Sequence, residues 1–248
     1  MSLSYRLFFK NLLIATAFLL ISSFSFAQQR NWENTMLRVA EKNRTPILNS
    51  FFKIVSKFNN PVCLSGPAAV FVIGLADNNT ILKKKALFNA ESIAGAEVIT
   101  FSMKITIRRP RPSNFDTTFV SLVNSRTKAF PSGHTAEAFA MATAMSIAVP
   151  KWYVVVPAYA WASMIAYARV YLGVHYPTDA IGGAIVGSGT TYLMYRLNKW
   201  LVQDSNKEHH PRNEIFGIII GIGGAYLLYK INDWIGMKKR KGLLKAIQ

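Results

Sequence analysis

Residues 131–149 read PSGHTAEAFAMATAMSIAV, and this stretch decides the fold. A proline-serine-glycine turn runs straight into an unbroken apolar and small-residue segment, which predicts a loop feeding the N-terminus of a helix. The same length and periodicity recur at roughly Pro61 to Ala76, Ala86 to Ile107, Trp152 to Tyr167, Asp179 to Leu197 and Ile215 to Ile231. No alternating strand pattern and no internal repeat interrupts them. With 51% apolar residues in 248 and long uncharged runs, the chain is expected to be all-α, a multi-pass transmembrane helical bundle. Some segments fall short of the ~20 residues that span a bilayer comfortably, so these are expected to tilt little or to be partly buried in the bundle.

Two of the four histidines sit in segments that read as opposite halves of a phosphate-handling site. His134 ends the turn Pro131-Ser132-Gly133-His134, where helix N-terminal amides and a glycine that admits close backbone approach make a ready anion site. His175 lies between Arg169 and Asp179, just outside a helix for which Pro177 suits the first position. A carboxylate bonded to one imidazole nitrogen fixes the tautomer and frees the other nitrogen to attack, and a second histidine can protonate the leaving oxygen. Upstream, residues 104–112 (KITIRRPRP) supply a lysine and three arginines. Phosphoryl transfer is mainly positioning and charge stabilisation, for which bidentate guanidinium groups and a movable ammonium are suited.

In this order and spacing the three segments resemble the signature of the type-2 phosphatidic acid phosphatase superfamily, which includes lipid phosphatases, bacterial acid phosphatases and vanadium haloperoxidases. Lys104 with Arg111-Pro112 matches the first motif, residues 131–134 the second, and Arg169, His175 and Asp179 the third; Ala168 stands where the family usually has serine. Arg109-Pro110 would fit a shorter spacing, but the family spacing favours Arg111. The resemblance implies that His175 is the nucleophile forming a phosphohistidine, Asp179 its orienter and His134 the general acid. It implies that Lys104, Arg111, Ser132, Gly133 and Arg169 bind phosphate. Arg108 reads as an interfacial anchor, and Glu137 as a complement to the helix dipole with a secondary option of bonding His134. No paired-carboxylate or Cys/His cluster with ligand spacing is visible, so neither a metal nor another cofactor is expected.

The organisation expected is a signal peptide or first transmembrane helix over 1–27, an amphipathic interfacial segment over 28–60, a phosphatase core over 61–200, and a polar loop, final apolar helix and basic tail over 201–248. His209 and His210 belong to that polar loop. The small residues of Gly182 to Gly187, and Gly217 with Gly221, suit close helix packing. A single cysteine, Cys63, excludes an intrachain disulfide.

A net charge of +17 fits anionic head groups and a phosphate substrate; no nucleic-acid module or basic-aromatic groove accompanies it, and no obligate protein partner is evident. If Lys83-Lys84-Lys85 is cytoplasmic, all three motifs emerge on the outer side. Lys151, Arg196 and Lys199 then stay inside, with Trp152 and Trp200 marking that interface. This places the enzyme in a bacterial inner membrane with its site facing the periplasm. The expected partners are therefore the membrane and a phosphorylated lipid substrate, phosphomonoester or diphosphate. A soluble secreted acid phosphatase remains open at a mean hydropathy of +0.19, as do a vanadium haloperoxidase and a non-enzymatic lipid-binding or transport protein.

Overall fold

The computed structural model describes residues 30–203. The expected signal segment 1–27, the side chain of Trp200, the loop with His209 and His210, the segment Ile215 to Ile231 with Gly217 and Gly221, and the basic tail lie outside what is described. Among the described residues the secondary structure is helical throughout: α1 Arg30–Lys42, α2 Pro46–Ala76, α3 Thr80–Ile107, the single turn α4 Pro112–Phe115, α5 Gly133–Ala148, α6 Trp152–Tyr171 and α7 Pro177–Gln203.

Helix starts follow local chemistry. Thr45 caps α2 by accepting from Leu48 N, with Pro46 in the first turn, and Asn79 caps α3 by accepting from the Ile81 and Leu82 amides. Pro177 opens α7, as its sequence position predicts. One boundary differs from the hydropathy reading: α2 begins at Pro46 rather than near Pro61 and runs unbroken past residue 60, carrying Pro61 and Pro67 inside it. Its first half has lysines at 53 and 57 that depress hydropathy, yet Phe52, Val55 and Ser56 form a buried face there.

The five long helices run alternately up and down. Helix α5 packs against α7, α6 and α3, while α2 lies on α3 and touches α6 and α5. Its buried alanines, Ala138 and Ala142, meet Ala158, Ala162, Ile165 and Ala168 of α6 together with Phe52 and Val55 of α2. A second cluster joins Cys63 of α2, Ile93 and Ala96 of α3, and Ala140 and Met141 of α5. Small side chains here let backbones approach closely. The outer faces are apolar instead: Ile47 is 82% exposed and Trp152 77%, with Leu64, Val72, Ile73, Val156, Ile181, Ile185 and Leu193 also exposed. Such a continuous apolar exterior around an interior that buries Asn59, Ser92, Thr100 and Thr191 is what lipid favours and water does not.

Among the described residues one helix, α2, is long and apolar enough by itself to cross a bilayer. The others are limited by composition or length. Helix α3 carries Lys83-Lys84-Lys85, Glu91, Glu97 and Lys104, and α5 has 16 residues, or about 24 Å at 1.5 Å per residue.

Close packing is tightest where α7 crosses α5. A Cβ on Gly187 would stand 2.3 Å from the Ala136 carbonyl oxygen and 2.9 Å from the Ala140 nitrogen, and one on Gly183 would stand 2.5 Å from Ser132 O. Gly189 has no neighbour within 4 Å. Gly187→Ala is therefore expected to destabilise the protein by about 1–3 kcal/mol through a backbone clash. Gly189→Ala should instead stabilise it by up to ~1 kcal/mol, through helix propensity alone. Thermal unfolding of the two variants in the same detergent checks the contrast; equal midpoints would mean that α7 does not seat on α5 this closely.

Candidate active site

The site forms at one end of the bundle, where α3 and α6 finish and α5 and α7 begin. Lys104 stands in the last turn of α3, Ser132 precedes α5, Arg169 occupies the last turn of α6, and Asp179 the first turn of α7. His175 lies in the connection between α6 and α7, turned back by Gly173, whose φ of +72° is one that a glycine adopts without strain. All three motifs of the sequence are thereby brought together.

His175 is 2% exposed and Asp179 fully buried. Arg111 NH1 lies 3.2 Å from His175 Nε2 and also donates to Val174 O at 2.6 Å, while its other nitrogens hold Thr127 O and Thr127 Oγ1. Since a guanidinium can only donate, Nε2 must present its lone pair, which leaves the proton on Nδ1. Nδ1 faces Asp179 Oδ2 at 3.5 Å, longer than an ordinary hydrogen bond, and has no hydrogen-bond partner. The carboxylate is engaged elsewhere: Oδ2 accepts from Tyr176 N at 2.9 Å and Oδ1 from Arg109 NH1 at 2.8 Å. Asp179 thus stands beside His175, as the spacing predicts, but its short bonds go to a backbone amide and to an arginine.

Burial, then the positive charges of Arg111, Arg169, Lys104 and His134, hold the His175 imidazole well below its ordinary pKa. The ring is therefore neutral at physiological pH, the form a nucleophile needs. Burial also lowers Arg111, to about 10, against the opposing pull of Asp179, so its charge persists at neutral pH.

Lys104 Nζ donates to Pro131 O at 2.6 Å and Lys128 O at 2.8 Å, stitching the end of α3 to the Pro-Ser-Gly-His turn. Ser132 N donates to Asp179 O at 2.9 Å, which fixes that turn against α7. Ser132 makes no side-chain cap to α5; its Oγ accepts from Thr135 Oγ1 at 2.9 Å. Gly133 lies against Glu97 and Thr100, where a Cβ would meet Glu97 Oε1 at 3.6 Å. His134 is partly exposed beside them, and its carbonyl accepts from Asn59 Nδ2 at 3.3 Å. Arg169 is buried, donating from NH1 to Ser56 Oγ at 2.6 Å, with Nε unpartnered. Ala168 is packed in the core between helices.

Several participants escape sequence reasoning. Ser56 and Asn59 reach the site from α2, and Glu33 from α1, across separations of 75 residues or more. Glu137, read as a complement to the helix dipole, lies just past the first turn of α5, buried, and accepts from Asn59 Nδ2 at 2.9 Å. Arg108 caps α3 in the left-handed region (φ 52°) and donates to Ile105 O, within its own helix. Arg111 rather than Arg109 reaches the histidine, which resolves the alternative spacing, while Arg109 holds the carboxylate.

Over 116 residues the chain is 34% identical to the lipid A 4'-phosphatase of Bacteroides thetaiotaomicron, covering 42% of this chain and 52% of that one. It is 30% identical over 95 residues to the undecaprenyl-diphosphatase of Sulfolobus acidocaldarius, covering 38% and 46% respectively. The chain thus spans about half the length of these curated relatives. Its fold is similar to the crystal structure of the first transmembrane PAP2 type phosphatidylglycerolphosphate phosphatase from Bacillus subtilis. There the TM-score is 0.60 at 22% identity, over 76% of this chain and 95% of that one. Residues 85–203, from the lysine-rich start of α3 to the end of α7, match the PAP2 superfamily's sequence profile, and this segment belongs to that superfamily.

Proposed function

We propose that this protein is a membrane lipid phosphatase that hydrolyses a phosphomonoester or diphosphate through a phosphohistidine. The observation that carries this reading is the buried, neutral His175 with Nε2 turned to Arg111 at 3.2 Å inside a ring of cations. In the first step Nε2 attacks phosphorus, the bond to the leaving oxygen of the lipid alcohol or lipid monophosphate breaks, and His134 gives that oxygen a proton. Water then attacks phosphorus, His134 takes its proton, the phosphorus–nitrogen bond breaks with its electron pair returning to Nε2, and phosphate leaves. Lys104, Arg111, Arg169 and the first amides of α5 hold the equatorial oxygens, where preorganised donors act on charge as it develops. Asp179 supports the imidazole as it becomes positive. The 3.5 Å gap to Nδ1 fits this role, since catalytic hydrogen bonds tighten in the transition state.

The apolar exterior, the spanning length of α2 and the transmembrane fold likeness support a multi-pass protein. They argue against the soluble secreted alternative. Relatives named for a lipid A phosphate and for an undecaprenyl diphosphate favour a lipid substrate and leave monoester and diphosphate as two variants of one chemistry. We assign the protein to a bacterial inner membrane with the site toward the periplasm. Lys83-Lys84-Lys85, Lys151, Arg196 and Lys199 belong to the end of the bundle opposite Lys104, Ser132, Arg169 and Asp179, in keeping with the positive-inside tendency.

His175→Ala should abolish both phosphate release from a panel of lipid phosphates and trapping of a phosphoenzyme. Asp179→Asn should lower the rate by ~10²-fold or more. Phosphoenzyme retained by the first variant, or normal turnover by the second, would remove that residue from its role.

His134→Ala should slow release of a lipid alkoxide more than release of an activated phenol, which needs little proton assistance. Equal losses on the two substrates would assign His134 to binding instead.

For sidedness, in a Cys63→Ser background Asn124→Cys should react with an impermeant thiol reagent once the outer membrane is permeabilised. Lys84→Cys should react only after the inner membrane is opened. The reverse pattern would turn the site to the cytoplasm.

A further inference from the structure

Arg109 is gripped by acids from both sides. Its NH1 donates to Asp179 Oδ1 at 2.8 Å and to Thr178 Oγ1 at 2.7 Å, and its NH2 donates to Glu33 Oε2 at 2.7 Å. Thr178 Oγ1 bonds the other Glu33 oxygen, and the guanidinium lies 4.1 Å over the Tyr176 ring. Glu33 is 1% exposed although it stands on α1, outside the residues that match the family profile. One turn later Leu37 packs on Phe119 and Tyr176, so the helix that carries Glu33 is seated by apolar contact on the same loop and turn that frame the site.

Charge bookkeeping gives this arrangement a purpose. A guanidinium paired with Asp179 alone would neutralise the carboxylate and weaken its support for an imidazole that gains positive charge. A second carboxylate on the far side of the same guanidinium shares that charge and leaves the trio with one net negative charge. In a buried setting such compensation is not replaced by water.

We infer that Glu33 is a positioning residue for the Asp179–His175 pair, acting through Arg109. Helix α1 then supplies a second carboxylate that takes up part of the Arg109 charge and leaves the trio net negative beside His175, and it closes the active site as part of it. The inference rests on the proposed role of Asp179 and His175 in phosphoryl transfer.

The test uses the full chain in detergent, with phosphate release from the best substrate of the lipid panel. Glu33→Gln keeps the shape and the acceptor that faces Arg109 but removes the charge and turns the other oxygen into an N–H donor toward Thr178 Oγ1. It should lower kcat by about 10- to 100-fold, the usual cost of losing an outer partner of a site residue, with KM changed by less than about twofold. Glu33→Asp, which keeps the charge, should recover part of that loss. In an Asp179→Asn background Glu33→Gln should cost nothing further, because the group through which it acts is gone. Equal losses in both backgrounds, or a loss in KM alone, would reduce Glu33 to a fixing point for α1 and overturn the inference. Should Glu33→Gln fail to fold, Arg109→Lys, which cannot span two carboxylates, runs the same cycle with the same two outcomes. A wild-type protein that releases phosphate with Glu33→Gln fully active defeats this inference and leaves the phosphatase reading standing. A wild type that releases none defeats the phosphatase reading, and this inference with it.

Discussion

Three basic side chains, Lys104, Arg111 and Arg169, converge on one imidazole at the end of an apolar bundle, and their mutual repulsion is the constraint to which the rest of the structure answers. In low dielectric, like charges at such range cost several kcal/mol unless opposite charges lie close by. Of the chain's 12 acidic residues, four among the described ones, Glu33, Glu97, Glu137 and Asp179, are buried, on α1, α3, α5 and α7. Each helix that frames the site, apart from α2 and α6, contributes one. Helix α6 brings Arg169 and α2 answers with neutral polar groups, Ser56 for that arginine and Asn59 for Glu137. An anion entering this end of the bundle meets charges already oriented, so little reorganisation remains to be done in the transition state.

The geometry of that end is transmitted by backbone contact. Ser132 N bonds Asp179 O, Gly183 lies under Ser132, and Gly182 lies under Phe130. The Pro-Ser-Gly-His turn and the Asp179 carboxylate therefore share one joint between α5 and α7, as the proposed reaction, governed by positioning, requires. Lys104 adds a second tie by bonding the carbonyls on either side of Phe130, at Lys128 and Pro131 through its own ammonium. Lysine's long flexible stem and three donors suit this double attachment.

Much of this was legible in the sequence. Pro177 opening a helix, the Pro-Ser-Gly-His turn feeding one, and the apolar periods of α3, α5 and α7 are local signals, and local signals survive tertiary context. The spacing Lys104 to Arg111 likewise names the arginine that reaches His175. What was not legible depends on distant pairs. Glu33 on an amphipathic helix reads as a solvated charge until Arg109 is seen against it. Glu137 reads as a first-turn acid until α2 covers it with Asn59, and the start of α2 is hidden because Lys53 and Lys57 on its outer side mask the buried stripe of Phe52, Val55 and Ser56. The bond expected from Asp179 to His175 is a contact of 3.5 Å because the oxygen that faces the ring, Oδ2, already accepts from Tyr176 N while Arg109 holds Oδ1.

The seating of α1 on Phe119 and Tyr176 bears on how such chains diverge. The stretch that carries family likeness runs over residues 85–203, yet the interactions that balance its charges reach back to Ser56, Asn59 and Glu33. Sequence upstream of a recognisable motif block is usually free to drift, but here it is tethered by electrostatics to the block's most constrained carboxylate. Grafting residues 85–203 of this chain onto the leading helices of a relative would transfer every motif residue and still leave Arg109 facing whatever side chain the new partner presents, so the smallest unit that can be exchanged between family members is larger than the unit that similarity detects.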